Sequence, residues 1–430
     1  MQDPEPAGTP ALSARFSSVR EQTRRIAAPL APEDHVVQSM EDVSPTKWHL
    51  AHTTWFFETF VLGPNVEGYR PYNERFAYLF NSYYVQAGER FSRPHRGLLS
   101  RPTVDDVNAY RAHVDSAMMA FLRKLPAGTA PEVERVVEIG LNHEQQHQEL
   151  MVTDIKHVLS INPLQPAYDP SGKRMPSDDL PTTWMAFNPG IVTIGDAGSG
   201  RFCFDNEGPR HRVFVEPFEL ASRPVTNREY LAFVEDDAYA NPVLWLSEGW
   251  ATVAREGWTH PLYWQHENGE WTEFTTAGRL PLDLDAPVTH VSLFEADAFA
   301  RWSGARLPTE FEWEHAAGSA IGNTNITGHF SEDLIFIPSL SGERSLIGPF
   351  HNLFGSTWEW TSSHYSPYPG YETEDGALGE YNGKFMYNQF VLRGGSVATP
   401  GDHIRLTYRN FFPGHARWQF SGIRLARSAR

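Results

Sequence analysis

Through the first 160 residues apolar positions recur at helical spacing, and beyond them the pattern breaks into short runs. Four helices are expected in the first part. Ala11 to Leu30 is a polar, arginine-rich candidate. Ser44-Pro45 opens a second, with Ser as cap and Pro at the first helical position, ahead of an aromatic run to Val61. Thr103-Val104-Asp105-Asp106 opens a third, with acids in its first turn, running to about Lys124. Pro131 opens the fourth, which Val136, Ile139, Leu150 and Ile155 carry to about Leu159. Helices of this length predict a four-helix bundle. The connection from Gly63 to Pro102 is long and rich in Tyr, Arg, Gly and Pro, and loops of that length usually carry function.

Between Asn162 and Thr183 stand Pro163, Pro166, Pro170, Pro176 and Pro181, which read as an interdomain linker. Past it, short apolar runs are punctuated by Gly, Pro and Asn, with helices standing out at Asn227 to Glu235 and Leu293 to Ser303. The expected organisation is therefore a helical domain over 1–161, a linker over 162–183 and an irregular α+β domain over 184–430. A chain of 430 residues is too long for one ordinary core, which agrees. Composition changes the picture little: 40% hydrophobic residues with 13 Trp and 27 Phe suffice for large cores. The formal charge of -17 argues against nucleic acid or an anionic membrane as partner. Cys203 is the one cysteine, so no intrachain disulfide forms. Met1 to Pro10 lacks an apolar segment and no stretch approaches 18 apolar residues, so a cytoplasmic protein is expected.

The strongest chemical signal is Asn142-His143-Glu144-Gln145-Gln146-His147-Gln148-Glu149. Two histidines at i and i+4 share one helical face, a geometry that brings two imidazoles to one metal. The same run matches HExxH, so one alternative is a zinc metalloprotease with Glu144 as base. A solvated polar face is the bland alternative. Trp48-His49-Leu50-Ala51-His52 lies on another expected helix, and a histidine among aromatics is half-buried and needs a partner. Either His49 or His52 could supply a third ligand on geometry. The loop from Leu79 to Pro102 offers Tyr83 and Tyr84 as proton donors and Arg90, Arg93, Arg96 and Arg101 as carboxylate clamps, each weighed against an ordinary surface side chain.

WHLAHTTWFFETF with HxxxH resembles the DinB-type bundle of the ergothioneine-forming sulfoxide synthases. The second half is similar to the formylglycine-generating-enzyme fold, with its C-type-lectin-like core. That likeness is carried by RPVTNREYLAFVED from Arg223, HVSLFEADAFARWSGARLPTEFEWEHAAG from His290, STWEWTSS from Ser356, VLRGGSVATP from Val391, and RLTYRNFFPGHARWQFSGIRLAR from Arg405. The resemblance implies a mixed two-domain fold, a DinB-like four-helix bundle and a lectin-like α+β domain, with the active site at their interface. It implies Fe(II) as cofactor, held by His52, His143 and His147. The implied reaction uses O2 to join a thiol sulfur to hercynine as a sulfoxide. Gln146, Asn410 and Phe411 resemble hercynine contacts. Tyr83 and Tyr84 match the cysteine-using branch, in which a tyrosine supplies a proton and Arg93 and Arg96 would hold the cysteine carboxylate. Phe412 stands where the γ-glutamylcysteine branch has an acid, which favours a small donor.

The chain departs from relatives at Ser356-Thr357, where Gly is commonly followed by Asp/Asn-Val, and at Val397, where some have cysteine. With Cys203 alone, formylglycine generation itself is excluded, because it needs active-site cysteines. Trp313, Trp358, Trp360 and Trp418 are expected in the core. Two other readings compete: a selenoneine synthase joining selenium from a selenosugar to hercynine, and a lectin-like binding module with a degenerate metal site.

Overall fold

The fold was taken from a computed structural model of the chain, which describes residues 12–125, 130–198, 200–322, 325–373, 379 and 382–429. Met1 to Pro10 and the expected helix start at Ala11 lie outside the described residues. The chain divides into two compact units, Met1–Val158 and Leu159–Arg430.

In the first unit α1 spans Leu12–Ala27 and buries Phe16, Val19, Arg20, Thr23 and Ile26, a stripe at three- and four-residue spacing. α2, Thr46–Phe57, is buried at every position, as expected of a helix enclosed on all sides. Its onset corrects the sequence reading. The helix begins after Pro45 with no side-chain cap. The Ser44 hydroxyl accepts from Arg96 Nη1 at 2.9 Å instead. At its other end the backbone widens into a π-helical turn, Glu58–Leu62, a distortion often found beside functional sites. α3, Val104–Leu122, starts in a capping box between Thr103 and Asp106. α4 is the long helix Pro131–Ile161.

Gly140 sets the approach of α4 to α2. A methyl group there would lie 2.6 Å from the Phe57 ring and 2.8 Å from the Phe56 ring. The absence of a side chain is what lets this face of α4, which carries His143 and His147 one and two turns later, lie close to α2.

In the second unit the proline-rich segment 162–183 has neither helix nor strand. It is not a free tether, since Asp169 N donates to Thr276 O and Asp178 N to Leu340 O. Strand Phe218–Ala221 is central to a three-stranded antiparallel sheet, flanked by Trp184–Phe187 and Ala426–Ser428, so the two ends of this unit meet in one sheet. A four-stranded sheet runs Asn410–Phe412, Phe390–Arg393, Trp358–His364 and Ser421–Gly422. Both helices expected in this unit form, as Asn227–Glu235 and Leu293–Trp302. Glu310–Ile321 and Ser247–Glu256 are helices the periodicity did not single out.

Trp313, Trp358, Trp360 and Trp418 are all buried, as expected. Trp313 Nε1 donates to Glu359 at 2.6 Å, and Arg424 Nε reaches both oxygens of that carboxylate at 2.8 and 2.9 Å. A buried charge pair is tolerable only with such complete satisfaction. No described helix is long and apolar enough to cross a membrane.

Candidate metal centre

α2 and α4 bring His52, His143 and His147 together, with ligand atoms within 4.8 Å of one another. All three are buried, and their ring centroids lie 4.6 to 4.9 Å apart. His52 Nδ1 stands 2.5 Å from Phe80 O. A carbonyl only accepts, so Nδ1 carries the proton and Nε2 keeps its lone pair. Nε2 is buried and has no hydrogen-bond partner. Burial pushes the pKa of His52 and His147 well below the usual histidine range, with neighbouring imidazoles adding to the effect, and lowers that of His143 to about 3. Near neutral pH the cluster therefore offers uncharged nitrogen donors, the form in which imidazole binds a metal. Three such donors with an orphaned Nε2 fit a divalent ion of the imidazole-binding group, iron(II) included.

His49 is outside the cluster and supports it. Its Nδ1 lies 2.8 Å from Nδ1 of His147, and its Nε2 lies 3.1 Å from Asp154 Oδ2. The same Asp154 oxygen accepts from Ser44 N at 2.8 Å. Asp154 is a functional candidate that the sequence reading passed over. Its signal was spacing: it follows His147 by seven residues, two turns along the same face of α4.

Glu144 does not serve the histidine cluster as a protease base would. Oε1 accepts from Thr23 Oγ1 at 2.6 Å and Arg111 Nη2 at 2.5 Å, and Oε2 accepts from Arg20 Nη1 at 2.8 Å. Despite complete burial the two guanidiniums hold its carboxyl down to about 2. A carboxylate so committed cannot take a proton from water at neutral pH.

Arg96 is 5% exposed, and its guanidinium lies 3.4 Å from the centroid of the Trp48 ring. Trp48 in turn stacks on His52 at 4.5 Å. The Nη atoms of Arg96 reach Ser44 Oγ and Ser82 Oγ at 2.9 and 3.1 Å, and its Nε is buried without a partner. No carboxylate of the described residues forms an ion pair with it. Burial, with Arg93 nearby, lowers its pKa to about 9. Arg93 is exposed and donates to the Asp42 carbonyl, and Arg90 donates to Ser82 O at 3.1 Å.

Tyr84 is buried in an aromatic shell around the cluster, 5.7 Å from Trp55, which itself stacks on His52 at 5.5 Å. Tyr83 is half-buried, 5.9 Å from Tyr84. Gln146 is half-buried on α4. Asn410, Phe411 and Phe412 belong to the second unit and form one half-buried strand. There Phe411 stacks on Tyr365 at 4.0 Å and Phe412 meets the edge of Trp418 at 6.2 Å.

Family models match both parts of the chain: the DinB superfamily over residues 15–151 and the sulfatase-modifying factor enzyme 1-like domain over residues 175–429. Hercynine oxygenase of Mycolicibacterium thermoresistibile is 31% identical, over 89% of this chain and 87% of its own length. Hercynine oxygenase of Mycobacterium tuberculosis is also 31% identical, over 89% and 91%. Ergothioneine biosynthesis protein 1 of Neurospora crassa is 24% identical, over 76% of this chain and 47% of its own. Alike to these proteins across both of its parts, the chain belongs to the ergothioneine-biosynthesis sulfoxide synthase family.

Proposed function

We propose that the chain is an iron(II)- and O2-dependent oxidoreductase that joins hercynine to a small thiol, cysteine in preference, and leaves a sulfoxide. In the balanced reaction a C–H and an S–H bond break, and a C–S and an S–O bond form. The second oxygen atom of O2 leaves as water. The observation that carries the reading is the buried cluster of His52, His143 and His147, with Nε2 of His52 lacking any hydrogen bond. Relatives named hercynine oxygenase support hercynine as the substrate.

Iron(II), when bound, supplies electrons to O2 and open positions for substrates. The protein's own contribution begins with three neutral donors, which leave the charge of a bound ion undiminished. Trp48, Trp55 and Phe56 wall the cluster with apolar rings, which limits water at the donors. Tyr84, one aromatic layer from His52, is our choice for the proton donor, with Tyr83 next to it. Arg96 supports the preference for cysteine. A buried guanidinium with no carboxylate in direct contact is costly, and a donor's carboxylate would pair with it where a neutral selenosugar would not.

The test is a competition. Protein loaded with Fe(II) receives hercynine and O2 together with cysteine, γ-glutamylcysteine and a selenosugar, and products are read by mass spectrometry. The expected product is the cysteine–hercynine sulfoxide, absent with His52→Ala. A carbon–selenium product would move the assignment to selenoneine synthesis. No product from any donor, with no iron retained, would leave the binding-module reading standing.

A further inference from the structure

His147 can bind a metal only through a nitrogen that keeps its lone pair, and the surroundings of its ring decide which one does. Asp154 is the fixed end of the chain of contacts. As a carboxylate it only accepts, and Oδ2 already takes the Ser44 N–H at 2.8 Å. The contact of 3.1 Å from His49 Nε2 to the same oxygen therefore requires the proton on Nε2. A neutral His49 is then an acceptor at Nδ1. The 2.8 Å contact between the Nδ1 atoms of His49 and His147 in turn requires the proton on His147. That leaves Nε2 of His147 with its lone pair. Any other arrangement of these protons either sets two donors face to face or protonates the nitrogen that would bind. All three side chains are buried, so bulk water does not compete for these contacts.

We propose that Asp154 and His49 form a positioning relay that fixes the tautomer and ring orientation of His147 and raises its strength as a metal ligand. Asp154 and His147 sit two turns apart on α4, and His49 reaches between them from α2, one turn before His52. The relay thus also ties together the two helices that supply the ligands. Neither residue touches the metal in this assignment. Second partners of this kind are worth about 10- to 100-fold in metal affinity when removed.

The inference rests on the metal-site reading, and the experiment separates the two. Full-length metal-free protein is titrated with Co(II) alone, followed by visible absorption, with urea unfolding of each metal-free variant as the check on folding. His143→Ala should abolish binding; if it binds Co(II) like the wild type, the metal-site reading itself fails. His49→Phe keeps a ring but offers His147 no acceptor, and should weaken Co(II) binding about 10- to 100-fold. His49→Gln can accept from His147 through its amide oxygen and donate to Asp154 through its nitrogen, so it should stay within about threefold of the wild type. Asp154→Asn keeps an acceptor oxygen and removes only the charge; its affinity should fall about tenfold, and it stands in if His49→Phe does not fold. Wild-type affinity in the folded variants would overturn the relay. Equal losses with Phe and Gln at position 49 would overturn it too, because volume rather than hydrogen bonding would then be responsible.

Discussion

Glu144 has no exposed side-chain surface and carries ion pairs from Arg20 on α1 and Arg111 on α3. Arg20 also reaches Asp115 at 2.6 Å, so the network joins three helices around one carboxylate. A protease base would need a free oxygen; this residue has the opposite assignment, a pillar of the bundle directly beside His143 in sequence. Removing one charge from such a pair leaves the other buried and uncompensated, which costs about 3–5 kcal/mol. We expect Glu144→Gln to lower the stability of the metal-free protein by that amount, read from the midpoint of a urea transition. An unchanged midpoint would show that the carboxylate is not the pillar described. The distinction was not legible in HExxH, because both arginines lie far away in sequence, at separations of 124 and 33 residues. What the residues did disclose was the pair His143 and His147 with a third histidine left open between His49 and His52, since HxxxH and an imidazole among aromatics are local patterns. Choosing His52 over His49 required the tertiary contacts or the family likeness, because both lie on one buried helix.

Local signals served the elements well wherever they were complete. Thr103 with Asp106 forms the capping box its spacing suggests, and helix Asn227–Glu235 follows an equivalent box between Thr226 and Glu229. Helix Glu310–Ile321 carries the same signature in Thr309 and Glu312, and only the density of Gly, Pro and Trp around it hid the pattern. Gly140 is a different case. Within α4 it reads as a weak point costing up to about 1 kcal/mol relative to Ala. In the fold it is a contact surface, with the rings of Phe56 and Phe57 filling the space a methyl group would take. Overpacking of this kind costs about 1–3 kcal/mol, more than the propensity gained. Gly140→Ala should therefore destabilise the protein despite being the better helix former, and weaken Co(II) binding by pushing His143 and His147 away from His52. A stabilised variant with unchanged metal affinity would mean that α2 yields freely at this point.

At the scale of the whole chain, the charge of -17 and the buried histidines make opposite demands as pH falls. Protonating exposed carboxylates relieves self-repulsion, but that repulsion is spread over a large surface and screened within about 8–10 Å at ordinary salt. A buried histidine is a concentrated cost. His329 in the second unit is 1% exposed, and burial lowers its pKa to about 4, with Asp333 opposing that shift and Arg344 adding to it. His403 is shifted down in the same way, by burial and by Arg405. For a base whose folded pKa lies below its unfolded value of about 6.5, the unfolded chain binds more protons between the two values, so stability falls as pH drops through that window. For His329 alone the loss between pH 8 and pH 5 comes to about 2 kcal/mol, a large share of the stability of a typical domain. Metal-free protein avoids any contribution from ligand protonation at an occupied site, though not from its empty histidines, so the comparison must be made between variants. The wild type should lose stability from pH 8 to pH 5 in urea titrations, and His329→Gln, which stays neutral throughout, should lose about 2 kcal/mol less over the same interval. If the two curves run parallel, His329 takes up its proton in the folded state as readily as in the unfolded one, and its burial does not have the energetic consequence assigned to it.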